Sequence, residues 1–203
     1  MNRKYPIGIQ SFENIRKEGY LYVDKTALIY QLVQTGKYYF LSRPRRFGKS
    51  LLLSTLQAYY EGKKELFEGL AMASLEKDWK TYPVLLLDLN ARRYEDVHSL
   101  VAILNQHLES WEAVYGDEKK DRAPEERFAY LIEKICRETG QKVVVLIDEY
   151  DKPMLQAIHN KELQSSYRNI LKAFYGVLKS KDAYLKFALL TGVTKFSKVS
   201  VFS

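Results

Sequence analysis

Cysteine is nearly missing from this chain: Cys136 is the single one, so no disulfide can form within it and a reducing compartment is expected. Cys136 lies among Leu131, Ile132 and Ile135 in a helix-like stretch, where inert burial is expected. Histidine is scarce too. His98, His107 and His159 share no metal-ligand spacing, so nothing argues for a site of the zinc type. Long apolar runs are also lacking. The stretch from Val143 to Ile147 falls far short of the about 18 residues a spanning helix needs, and no N-terminal signal pattern appears. A cytoplasmic protein with no membrane partner is the expectation. Internal repeats, low-complexity tracts and linkers are absent as well. With 46% hydrophobic residues, one domain over residues 1–203 with a sizeable core is expected.

One further absence is more telling. The stretch Ser42 to Leu56, SRPRRFGKSLLLSTL, ends as a phosphate-binding loop ends, with Gly48, Lys49 and Ser50. The Walker pattern places another glycine five positions before the one that precedes the lysine. Arg43 stands there instead.

What is present in quantity is positive charge, a formal net charge of +7. Such a balance suits an anionic partner: a nucleotide, a nucleic acid or an acidic membrane surface. Because the basic residues come in short pairs such as Lys63-Lys64 and Arg92-Arg93 with acids between them, they also suit a solvated surface.

Apolar strands alternate with helices along the chain. Lys37 to Ser42, Tyr82 to Asn90, Val143 to Ile147 and Leu185 to Gly192 read as strands. Between them, Asp24 to Gly36 reads as a helix capped by Asp24, ended by Gly36, with Leu28 and Leu32 on one face. Lys49 to Gly62 is apolar nearly all round and should be a buried helix. Helical spacing recurs from Val97 to Trp111, from Phe128 to Ile135 and from Leu163 to Leu178. This alternation predicts an α/β fold of three layers around a mainly parallel sheet.

The strand, loop and helix that a phosphate-binding loop requires occur in that order around Gly48. In such a loop backbone N–H groups face the phosphates at the helix N-terminus, Lys49 reaches the β- and γ-phosphates, and the Ser50 hydroxyl ligates Mg²⁺. The loop residues Arg43, Pro44, Arg45, Arg46, Phe47, Gly48, Lys49, Ser50 and Leu51 are therefore the expected nucleotide-binding set. A second element lies 99 positions beyond Lys49, where the apolar run Val143 to Ile147 meets Asp148 and Glu149. This has the Walker B form: Asp148 for Mg²⁺ and Glu149 to polarise an attacking water. Thr191, at the end of the last strand, is the expected third polar group near that water, or else satisfies its own turn before Gly192. Asp88 ends its strand similarly and is a neighbour of lower rank.

Four separated stretches, SFENIRKEGYLYVDKT, FLSRPRRFGKSLLLSTL, LIDEYDKP and LLTGVTKFSKVSVFS, resemble the bacterial AAA-ATPase-like family over nearly the whole chain. The family's loop reads Arg-Pro-Arg-Arg-Phe-Gly-Lys-Ser, so Arg43-Pro44 looks like its own version of the loop. The resemblance implies a P-loop NTPase of the additional-strand type with sheet order 5-1-4-3-2. It also implies ATP with Mg²⁺ as ligands, and Tyr22 to Thr26 packed beside the nucleotide base. Many relatives continue into more ATPase structure and a restriction-endonuclease-like domain, so a C-terminal partner outside this chain, and a chain truncated at Ser203, are expected. Three functions follow: Mg-dependent ATP hydrolysis coupled to a conformational change, a nucleotide switch that hydrolyses negligibly, and a nucleic-acid-binding adaptor.

Overall fold

The structure, a computed structural model, describes residues 4–116 and 118–194. Strands β1 (Tyr38–Ser42), β2 (Val84–Asp88), β3 (Val143–Asp148) and β4 (Leu185–Gly192) form one parallel sheet in the order β1-β4-β3-β2. This is the run 1-4-3-2 of the expected order, and the fold is a three-layer α/β arrangement of the P-loop NTPase type. The helices are α1 (Phe12–Lys17), α2 (Thr26–Thr35), α3 (Lys49–Tyr60), α4 (Ala71–Leu75), α5 (Val97–Tyr115), α6 (Pro124–Thr139), α7 (Lys152–Gln156) and α8 (Lys161–Ser180).

Each strand side chain chooses a face by the period of two, and both faces are covered. Val143, Val145 and Ile147 pack with α5, α6 and α8 through Leu104, Phe128, Ile132, Leu171 and Phe174. Val144 and Leu146 pack on the other side with Leu53, Leu56, Tyr60 and Phe67. All six residues of β3 are buried, which is why its sequence shows a continuous apolar run and no alternation. Between α5 and α6, Arg127 pairs bidentately with Glu112 at 2.7 and 2.5 Å inside the core.

Several local expectations change. Helix α2 buries Thr26, Ile29 and Val33, whereas Leu28 is 64% exposed. Lys25 occupies the N-cap position; Asp24, one residue earlier, accepts from the Thr26 N–H and hydroxyl and, with its other oxygen, from Ala71 N–H at 2.8 Å. It thereby ties α2 to α4. Cys136 is half-buried, less enclosed than expected, because it stands beside the core face of α6 that Ile132 and Ile135 occupy. The last nine residues of the fourth sequence motif, 195–203, lie outside the described residues.

Candidate functional site

Strand register assembles the site at the carboxyl ends of the strands. Asp88 pairs with Asp148 across β2 and β3, Ile147 with Leu190 across β3 and β4, and Leu41 with Thr191 across β4 and β1. The residue after Ile147 therefore stands beside the residue after Leu190. Thr191 donates its hydroxyl to Asp148 Oδ1 at 2.5 Å, so it serves Asp148 and does not merely satisfy its own turn.

The loop from Arg43 to Gly48 joins β1 to α3, and Gly48 takes the N-cap of α3 at φ 75°, in the left-handed region where glycine carries no Cβ penalty. Arg46 also has a positive φ, of 66°. Behind the loop Lys49 is 5% exposed. Its ammonium donates to the carbonyls of Arg43 and Pro44 at 3.2 and 3.3 Å and lies 3.4 Å from Glu149 Oε1. The Ser50 hydroxyl donates to Asp148 Oδ2 at 2.5 Å. Both oxygens of a nearly buried carboxylate thus hold hydroxyl groups from two different elements, α3 and β4. Glu149, at φ 53°, is a left-handed residue with a full side chain, a conformation that costs on the order of 1–2 kcal/mol.

Because Glu149 N–H also donates to Asp148 Oδ1 at 3.0 Å, Lys49, Ser50, Asp148, Glu149 and Thr191 are brought into one cluster of contacts. The side chains of Arg43, Arg45, Arg46 and Phe47 are exposed on the loop, Phe47 at 68%. Asp88 is engaged locally: its carboxylate accepts from Asn90 N–H at 2.7 Å and caps the short helix Leu89–Ala91. Two residues that sequence reasoning did not single out stand at the same end of the sheet. Lys152 donates to the carbonyl and side-chain oxygen of Asn90 at 2.5 and 2.8 Å, and burial lowers its pKa, with Arg45 acting in the same direction. Asp151 is buried and bonded to the turn after β4.

Beside the loop runs an apolar groove of about 740 Å³, lined by Tyr22, Val23, Leu28, Leu32, Phe47 and Leu51 among others, with Gly48 at one side. Leu28 and Leu32 do share a face, as the spacing predicted; that face looks into the groove.

The chemistry of the donors bears on Mg²⁺. Asp148 and Ser50 offer one carboxylate and one hydroxyl, hard oxygens already in contact, and among the described residues no group of three or more His, Cys, Asp or Glu is arranged to hold a metal. That set fits an ion that keeps several waters and takes its other ligands from phosphate oxygens. It does not fit a cation caged by protein alone.

A three-layer sheet carrying a GKS loop at the end of β1 and an acidic pair at the end of β3 defines a P-loop NTPase type of domain. Residues 6–202 match the family described as "Predicted AAA-ATPase", and the chain belongs to this AAA-ATPase-like family. It is 43% identical over 203 residues to a protein of Azotobacter chroococcum mcd 1, an "Uncharacterized protein in vnfD 5'region". The match covers 99% of this chain and 39% of that protein, so the chain spans well under half of its relative's length. No solved structure matches. Among the described residues no helix is long and apolar enough to cross a membrane.

Proposed function

We propose that this domain binds ATP with Mg²⁺ and hydrolyses it, and that hydrolysis moves the segments attached to the site. The observation that carries the reading is the single cluster formed by Lys49, Ser50, Asp148, Glu149 and Thr191 across α3, β3 and β4. In this reading the loop residues Arg43 to Leu51 surround the phosphates. Lys49 leaves the Arg43 and Pro44 carbonyls and neutralises the β- and γ-phosphate oxygens. Pro44 has no N–H, so the donors come from the residues after it. Ser50 and Asp148 would hold Mg²⁺, which supplies charge neutralisation at the phosphates when bound. Glu149, released from Lys49, accepts a proton from the water that attacks in line, while Thr191 keeps the Asp148 carboxylate turned toward Ser50. The base lies in the apolar groove beside Tyr22, Val23 and Phe47, with the Tyr22 to Thr26 segment along it.

A second reading, a nucleotide switch with negligible turnover, is favoured by one observation: the Glu149 carboxylate is paired with Lys49. Phosphate release at saturating Mg-ATP separates the two. Steady release that disappears in Lys49→Ala and Glu149→Gln supports the ATPase; nucleotide binding without release supports the switch; neither binding nor release removes both.

A further inference from the structure

Asp151 begins α7 but does not cap it. An aspartate at a helix N-cap ordinarily accepts from the N–H groups of the first turn. Among the described residues no N–H of α7 donates to this side chain. Instead Oδ2 gathers three donors from the turn after β4: Val193 N–H at 2.9 Å, Thr194 N–H at 2.6 Å and the Thr194 hydroxyl at 2.7 Å. The residue is wholly buried, and Oδ1 has no partner among the described residues. Burying a carboxylate is costly unless hydrogen bonds compensate it, so a side chain that gives up its local cap for this turn points to the turn as the thing being held.

That turn follows directly on Thr191, whose hydroxyl rests on Asp148. Gly192 passes so close that a Cβ there would lie 2.6 Å from Asp151 Oδ1 and from the Tyr150 ring. Tyr150 donates its N–H to the Thr191 carbonyl and its hydroxyl to the Thr194 carbonyl, each at 2.9 Å. On the other side the Ser42 hydroxyl donates to the Val193 carbonyl at 2.9 Å, and Arg43 N–H to the Gly192 carbonyl at 3.1 Å. The turn is therefore fastened both to the segment after β3 and to the first residue of the phosphate-binding loop.

We infer that Asp151 is a positioning residue: by holding the Val193–Thr194 turn it fixes the Thr191 hydroxyl against Asp148 and fixes the start of the loop at Arg43, without touching nucleotide itself. The inference rests on the ATPase reading above. It gives the third acid of the Asp148-Glu149-Tyr150-Asp151 run a task distinct from those of the first two, and it links two sequence motifs about 40 residues apart, since each clamp bond spans 42 or 43 positions.

The test compares wild type with Asp151→Asn, Asp151→Ala and Thr194→Val in two measurements. One is ATP turnover against Mg-ATP concentration; the other is amide hydrogen exchange at Val193 and Thr194 in nucleotide-free protein. Asparagine still offers an oxygen to the turn, with its NH₂ in the place of Oδ1, so Asp151→Asn keeps kcat within about threefold. Asp151→Ala loses exchange protection at both amides, and its kcat falls about tenfold to a hundredfold while KM stays within about threefold, as misplacement near a reacting centre produces. Thr194→Val removes one bond of the clamp and lowers kcat by about threefold or more at unchanged KM. It carries the test if the alanine variant does not fold.

Wild-type kcat in the folded alanine variant, wild-type kcat in Thr194→Val when alanine does not fold, unchanged exchange at the two amides, or equal losses in the asparagine and alanine variants each overturn the role. A wild-type protein that neither binds nor turns over nucleotide defeats the ATPase reading and this role with it. Active wild type with an indifferent alanine variant defeats the Asp151 role alone.

Discussion

Lys49 Nζ lies 3.4 Å from Glu149 Oε1, with the lysine side chain 4% and the glutamate side chain 14% exposed. The residue proposed to hold phosphate and the residue proposed to activate water therefore neutralise each other when no nucleotide is bound. In that proposal a nucleotide that takes Lys49 frees Glu149, so that binding and activation are one event. Replacing Glu149 with Gln removes the proposed proton acceptor and the ion pair with Lys49. Glu149→Gln is expected to bind Mg-ATP as tightly as wild type or tighter, and to release phosphate at least about a hundredfold more slowly. Parallel titration and single-turnover measurements check both halves.

The Ser50 hydroxyl and the Thr191 hydroxyl reach opposite oxygens of Asp148, each at 2.5 Å. Removing the Ser50 hydroxyl leaves Asp148 in place but deletes one of the two oxygens proposed for Mg²⁺. Ser50→Ala is expected to lose about tenfold in ATP affinity with Mg²⁺ present, or about 1.4 kcal/mol, and nothing when the metal is chelated. Fluorescent-nucleotide titration in Mg²⁺ and in EDTA reads the difference.

Far from the site, Arg127 and Glu112 form a bidentate pair in which each side chain is 5% exposed. Glu112→Ala leaves the guanidinium buried with, among the described residues, the Asn105 side-chain oxygen as its remaining side-chain hydrogen-bond partner. Breaking a buried pair in this way costs on the order of 3–5 kcal/mol, and urea unfolding should show it without any change in nucleotide affinity per folded molecule.

Stability should fall in acid for a specific reason. Burial pushes the Asp24 carboxyl up, but the hydrogen bonds from Thr26 and Ala71 outweigh it, so its folded pKa lies below 3.8. The bonds from Lys17 and Lys63 hold Glu13 down, from 4.5 to about 2. Both folded values are depressed, so both contributions are present above the unfolded pKa values and fade as pH falls through the folded ones. The urea midpoint should drop between pH 4.5 and about 2. Asp24→Asn, which cannot titrate, should flatten the lower part of that drop; an identical slope in the variant would contradict this origin.

Reading the chain alone went furthest where a single segment carries its own signal. The apolar run that meets Asp148 and Glu149 is a fully buried parallel strand, and the loop holding Gly48 joins a strand to a helix that starts at Lys49. Those features are local, so composition and spacing expose them. Asp151 is different. Its partners lie 42 and 43 residues later, and only the crossover that sets β4 beside β3 brings them near. The groove face of α2 was hidden for another reason: Leu28 and Leu32 have the spacing of a core stripe, and so do Ile29 and Val33, the pair that the fold buries. The Arg127–Glu112 pair leaves no mark of its own in the sequence, since periodicity cannot tell a buried ion pair from a solvated one.

The central claim is that Lys49 and its neighbours form a Mg-ATP site. Thermal unfolding of wild type and Lys49→Ala, each with and without Mg-ATP, tests it most directly. Ligand at a hundred times its dissociation constant stabilises a fold by about 2.7 kcal/mol, a readable rise in Tm for a domain of this size. The account predicts that rise in wild type and its loss in Lys49→Ala. Equal shifts in the two proteins, or none in wild type, would contradict it.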